Sequence, residues 1–164
     1  MLRQMIGIAL CACAFVMPAF AGAVPDEPKA IVKDIYEEMT KTTTFTVPDN
    51  VYSPRLAKLF AEDQADGEKG GGVGRLDWDA WVNGQDFQIK NVTVTSRKDE
   101  FRDDREIVKV KMINIGKPAV VFFYFERVKG HWQIDDIRWP GKGGWTLSLV
   151  LKFGSDFMPR EDDN

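Results

Sequence analysis

Cysteine is scarce here: Cys11 and Cys13 are the only two in 164 residues, and both fall within the first twenty-one. Without those residues the chain can form no disulfide, thiol nucleophile or cysteine metal site. Histidine is rarer still, with His131 alone. One histidine and no later cysteine argue against a serine triad or a zinc hydrolase. Basic blocks are also missing. No run of five lysines and arginines occurs, and the formal charge is −3. That balance argues against a nucleic-acid partner, which needs a basic stripe. Lys109 and Lys111 alternate on an expected strand and read as a solvated face. Finally, no apolar run reaches the ~18 residues of a membrane span.

What is present begins with an address label. Arg3 gives a short positive start, residues 5–17 are apolar, and Ala19-Phe20-Ala21 has the small-x-small pattern of a signal-peptidase site. Cleavage is expected after Ala21, leaving Gly22 as the new terminus and no membrane span. The expected location is the periplasm, with secretion as the alternative. Leu10-Cys11-Ala12-Cys13 loosely matches a lipoprotein box. Cleavage before Cys13 would leave a greasy mature start, so a lipoprotein is disfavoured. The signal carries one arginine and no acid, so the formal charge moves from −3 to −4. An exported chain without disulfides must be held by its core, and one domain of this length buries enough surface for that.

The expected order is helices first, strands second, in a single domain over 22–164 with its core at about 29–151. Pro28 suits a first helical turn, and Ile31, Ile35 and Met39 recur at helical spacing. Threonines at 40–46 end that helix. Ser53-Pro54 opens a second one, carrying Leu56, Leu59, Phe60 and Asp63 and stopping near Asp66-Gly67. The glycine cluster at 67–74 lacks a closing Lys-Ser or Lys-Thr, so it reads as a flexible loop and not a phosphate cradle. In 76–86, Asp77, Trp78, Asp79, Trp81, Asn83, Gln85 and Asp86 suggest calcium. Counted from Asp77, the sixth and twelfth positions hold Val82 and Gln88, where a calcium loop needs glycine and glutamate. No metal and no cofactor are expected. The tryptophans instead plug the core, and the side-chain oxygens cap loose backbone groups.

Four strands follow, at 87–96, 105–115, 119–128 and 131–139. The first slips phase near Lys90-Asn91, as at a β-bulge. Lys129-Gly130 joins the last two as a hairpin. Its second strand, Trp132-Gln133-Ile134-Asp135-Asp136-Ile137, sets two adjacent carboxylates among apolar residues. Such groups must be paired, hydrogen-bonded or exposed. With a two-residue turn, Val128 faces His131 and Phe123 faces Asp136. One sheet face then carries Val108, Val110, Met112, Val120, Phe122, Tyr124, Asp135 and Ile137. The other carries Ile107, Lys109, Lys111, Phe123, Phe125, Trp132, Ile134 and Asp136. A one-residue change in a turn would swap these faces, so which aspartate points inward stays open. Residues 145–153 suit a last short helix or an extended segment, and 161–164 form a polar tail.

The two helices, Asp77, the Gln85-Asp86 pair and the Trp132-x-Ile134-Asp135-Asp136-Ile137 strand resemble a family of exported bacterial proteins known only as a domain of unknown function. That family is similar to the nuclear-transport-factor-two-like, or cystatin-like, superfamily. The resemblance covers about 29–151. Where the pattern has Asp-Pro, this chain has Asp79-Ala80. It implies an α+β cone: a curved antiparallel sheet of about four strands packed on N-terminal helices, enclosing a pocket. It implies no activity, since superfamily members include isomerases, dehydratases and binding modules.

Binding is the favoured function, and an enzyme is the less favoured one. A protein partner or a second copy would dock on Phe123, Phe125, Trp132 and Ile134 of a sheet face. One such partner is a periplasmic toxin or enzyme, neutralised by an immunity or inhibitor protein. Tyr36, Tyr124 and Trp78 are further binding candidates, and a small apolar ligand held in the cone is a third option. An isomerase- or dehydratase-like reading would use Asp86, Asp135 or Asp136 as acid or base, with Tyr36 or Tyr124 donating a hydrogen bond. Its bland counterpart is that Gln85-Asp86 and Asp136 bond backbone or Arg138 and fix the sheet. His131, at the hairpin tip, reads as exposed and not catalytic.

Overall fold

A computed structural model describes residues 27–154. The expected signal, with Cys11 and Cys13, and the tail at 161–164 lie outside the described residues. Within them the chain is α+β. Helix α1 (Pro28–Met39) and helix α2 (Pro54–Gly70) are separated by a 3₁₀ turn at Asp49–Val51. Strands β1 (Ile89–Lys98), β2 (Arg105–Asn114), β3 (Lys117–Val128), β4 (His131–Trp139) and β5 (Trp145–Thr146) follow, and helix α3 (Leu147–Phe153) ends the fold. The five strands form one antiparallel meander in chain order. Residues 145–153 combine both expected forms, a short edge strand and then a helix.

The helices obey their local signals. Pro28 occupies the first turn of α1, and Ile31, Ile35 and Met39 are buried along one stripe. Ser53 caps α2 by accepting a bond from Leu56 N, 3.1 Å away. The helix runs past the expected stop to Gly70 and ends at Gly71, whose φ of 74° suits glycine. Gly67 is a crossing point inside α2. A Cβ there would lie 2.5 Å from Gly74 N, and a Cβ on Gly74 would lie 2.3 Å from Asp63 Oδ2. The segment from Gly71 onward is a loop, as expected, and it returns tightly over α2 where Gly74 meets Asp63 and Gly67.

Sheet phase is the main correction. The β2–β3 hairpin closes through Ile115-Gly116, with Asn114 opposite Lys117 and both turn residues at positive φ (47° and 74°). An isoleucine there is unusual, and the turn is hard to read from sequence for that reason. It pairs Val108 with Phe123 and Val110 with Val121. Phe123, Phe125 and Ile134 therefore join Val108, Val110 and Ile137 in the core, each at most 1 % exposed. The docking face expected from Phe123, Phe125 and Ile134 does not exist as a surface. Val120, Phe122 and Tyr124 take the outer face, half-buried, and Lys109 lies over the Phe122 ring at 5.5 Å.

The Lys129-Gly130 turn pairs Val128 with His131 as expected. A register shift then falls between Tyr124 and Phe125, so Phe123 faces Ile137 and Tyr124 faces Asp136. The cause is the spacing of Ile134 and Ile137. Both point inward although three positions apart, which a strand allows only if one residue bulges. Asp135 is that extra residue. β1 shows the other irregularity, between Lys90 and Thr93, with Asn91 at φ 54°.

Candidate functional site

The aspartates of the β4 strand serve the fold. Asp136 accepts bonds from Ser148 N (3.0 Å), Ser148 Oγ (2.5 Å) and Ile137 N (2.9 Å). Ser148 lies in the first turn of α3, where backbone N–H groups have no intrahelical acceptor and favour a carboxylate. Asp135 accepts from Ser53 Oγ at 2.8 Å and from the Arg55 guanidinium at 2.8 and 2.9 Å. Arg55 also donates to the Asp135 carbonyl. Burial works to raise the Asp135 pKa. The hydrogen bonds from Arg55 and Ser53, with the Arg55 charge, outweigh it and hold the carboxyl below its ordinary value. The bulge therefore lets adjacent carboxylates tie down the starts of α2 and α3. Asp136 bonds Ser148 and backbone and has no bond to Arg138.

Other expected site residues scatter. Asp86 is exposed on a shallow hollow with Gln85, Asn114 and Lys117. Tyr36 is fully buried and donates to the Trp81 carbonyl at 2.6 Å. Burial and the charge of Asp79 push its pKa well up, which keeps the phenol neutral. Trp132 lies half-buried under the Arg127 guanidinium, 4.8 Å away. Tyr124 sits on the outer sheet face. His131 is exposed. Of the binding candidates, Trp78 alone lines the cleft beside α2.

That cleft is open, with a volume of about 930 Å³. One wall is a face of α2: Ala57, Phe60, Ala61, Gln64 and Glu68. These follow helical spacing beside the stripe of Leu56, Leu59, Asp63 and Gly67 that α2 buries. The connector at 45–52 supplies Phe45, Val47, Asp49 and Tyr52, and the return at 72–81 supplies Leu76, Trp78, Asp79 and Trp81. Ring contacts fix part of this lining. Tyr52 and Phe60 lie 5.1 Å apart, and Trp81 packs on Phe123 at 4.5 Å and on Tyr36 at 5.7 Å. Trp81 thus joins cleft to core and is 1 % exposed.

The polar lining of the cleft includes Thr46, Gln64 and the carboxylates of Asp49, Asp63, Glu68 and Asp79. Trp81 Nε1 donates to the Tyr52 hydroxyl at 2.9 Å. Burial, and secondarily the charges of Asp79 and Asp49, raise the Tyr52 pKa against the lowering effect of that bond. Asp79 opens a turn: its Oδ1 accepts from Trp81 N at 2.7 Å, and its backbone bridges Gly84. Asn83 at φ 54° completes the turn and takes the Trp145 indole N–H at 2.8 Å. Burial raises the Asp79 pKa, and the Trp81 N–H offsets part of that rise. Among the described residues its Oδ2 accepts no hydrogen bond. Asp63, by contrast, is fully used by Arg75 N at 2.7 Å, Leu76 N at 3.2 Å and the Arg75 guanidinium. Trp78 Nε1 is the one buried side-chain polar atom among the described residues without a partner.

Sequence reasoning placed Asp79 only as a cap. The signal available was its position between two tryptophans, Trp78 and Trp81, in a segment otherwise lacking charge compensation. No group of three or more potential ligands is placed to hold a metal ion among the described residues. None of their helices is long and apolar enough to cross a membrane.

No family model matches the chain, and no curated protein matches it. Among solved structures, a phospholipid-binding protein from Ralstonia solanacearum, determined in complex with a phospholipid, is similar at 19% identity with a TM-score of 0.32. The match covers 61% of this chain and 50% of that chain, so it spans about half that protein's length. A superposition this loose carries no argument about fold or ligand.

Proposed function

We propose that this protein is a small exported binding protein of the cone type that holds an apolar ligand in the cleft between α2 and the 72–81 return. It works in the periplasm after losing residues 1–21. The carrying observation is the cleft: about 930 Å³, walled by Phe45, Tyr52, Phe60 and Trp78, with the carboxylates of Asp49, Glu68 and Asp79 as its charged groups. Concave apolar sites with sparse polar anchors are the usual form of small-molecule sites. The rigid side is built in advance, because Trp81 is locked by Tyr36, Phe123 and Tyr52. Asp79 anchors the ligand; among the described residues no hydrogen bond or ion pair joins its carboxyl to a second acid or base, so binding is favoured over turnover. A docking protein is the weaker reading, because Phe123, Phe125 and Ile134, three of the four residues expected to receive it, are spent in the core.

The test is a titration with the neutral apolar dye N-phenyl-1-naphthylamine, followed by dye fluorescence. Ala61 lines the cleft and is exposed, so Ala61→Trp fills the cleft without entering the core. Saturable enhancement in the natural chain, lost in Ala61→Trp at an unchanged unfolding midpoint, is expected. Enhancement of equal size in the filled variant overturns the reading.

A further inference from the structure

We infer that the ligand of this cleft is an organic cation, an ammonium group on an apolar body. The inference rests on the cleft being the binding site. Its lining includes Asp49, Asp63, Glu68 and Asp79 and contains no lysine, arginine or histidine. Arg75, next to the lining residue Gly74, is turned to Asp63, Asp66 and the Leu151 carbonyl. It neutralises Asp63 and contributes nothing to the lining. Glu68 takes a bond from neutral Gln64 at 3.1 Å. Asp49 and Glu68 are exposed, while Asp79 is half-buried beside the rings with one oxygen free.

Two independent features then favour positive charge. Aromatic faces carry negative quadrupole density and attract ammonium groups, most strongly tryptophan. Phe45, Tyr52, Phe60 and Trp78, each half-buried, supply such rings around one space. The carboxylates add Coulombic attraction that the half-buried setting of Asp79 strengthens. A carboxylate taken out of water gains from either a proton or a cation, and a bound ammonium supplies the second. An anionic ligand would meet the same carboxylates with no opposing charge. A neutral one would leave Asp79 unpaired under its own apolar body.

Three probes of one chain length decide the matter: decyltrimethylammonium, decan-1-ol and decanoate. Each is titrated into the purified protein below its micelle concentration, with intrinsic tryptophan fluorescence as the readout. The cation is expected to bind about tenfold or more tighter than the alcohol, and decanoate weakest. The cation-to-alcohol ratio should fall to about threefold or less in Asp79→Asn, which keeps the Oδ1 acceptor for Trp81 N. It should vanish with all binding in Ala61→Trp, which separates the cleft from general attraction to an acidic protein. Equal binding of cation and alcohol overturns the charge inference and leaves the apolar cleft standing. No binding by any probe overturns both. If Asp79→Asn does not fold, the ranking of the three probes on the natural chain decides alone.

Discussion

Two acidic segments of this molecule look alike on paper and differ in how far the fold satisfies their carboxylates. Asp135 and Asp136 lie on β4, and all their bonds point to the protein: Ser53, Arg55, Ser148 and backbone. Asp79 lies on a turn, spends one oxygen on Trp81 N and leaves the other toward a cleft with no cation in its lining. Partners move the two groups in opposite directions. Arg55 and Ser53 overcome burial at Asp135 and lower its pKa, whereas burial prevails at Asp79 and raises it. A carboxylate saturated by its own fold is a fastener. A carboxylate left short of partners is stability withheld from the fold and available to a ligand.

Removing a fastener should cost most. Asp136→Ala strips three hydrogen bonds, two of them at the start of α3, and should lower unfolding free energy by about 2–3 kcal/mol. Urea unfolding followed by tryptophan emission measures it. A loss under ~0.5 kcal/mol would place Asp136 outside the framework and reopen it as a site residue. Asp135→Asn comes next. The Arg55 side chain is 44 % exposed, so screening reduces the pair's worth, and about 1 kcal/mol is expected. Its pH dependence has a fixed sign. The folded pKa lies below the unfolded one, near 3.9. The stabilisation is therefore complete above the unfolded value and is lost as pH falls through the folded value. The gap between natural chain and Asp135→Asn should accordingly close on acidification. A gap that widens there would contradict the Arg55 assignment.

The same contrast explains what was legible in the sequence. The helices were, because Ile31, Ile35, Met39 and Ser53-Pro54 carry their signals within a few residues. The α+β class and the meander were also legible, through strand alternation and the Lys129-Gly130 turn. Sheet phase was not. It hung on an isoleucine at positive φ in the β2–β3 turn and on a bulge at Asp135, and each shifts the side chains by one position. The spacing of Ile134 and Ile137 was the one clue to that bulge. The cleft was legible only in Trp78. It is assembled from three stretches, 45–52, 57–68 and 72–81, that local periodicity cannot bring together. Adjacent aspartates inside a greasy strand draw the eye because the fold demands much of them. Asp79 looks ordinary among turn residues because its backbone work is ordinary.

The smallest expected effect is the most telling, because its sign is reversed. Asp79→Asn keeps an oxygen for Trp81 N and removes a charge that burial disfavours. At Asp79 the folded pKa lies above the unfolded one. The folded state is then favoured fully below the unfolded value and loses that advantage as pH rises through the folded value. At pH 7 the natural chain bears the cost of the ionised group and the asparagine variant does not. The variant should be more stable there, on the order of 0.5 kcal/mol, the scale of a single relieved strain at a functional position. Near pH 3 both side chains are neutral, and the two unfolding curves should coincide. Paired urea titrations at the two pH values read both arms. Lower stability of Asp79→Asn at pH 7 would mean that an unseen partner already satisfies the carboxylate, and the contrast between fastener and free acid would fail at its more informative end.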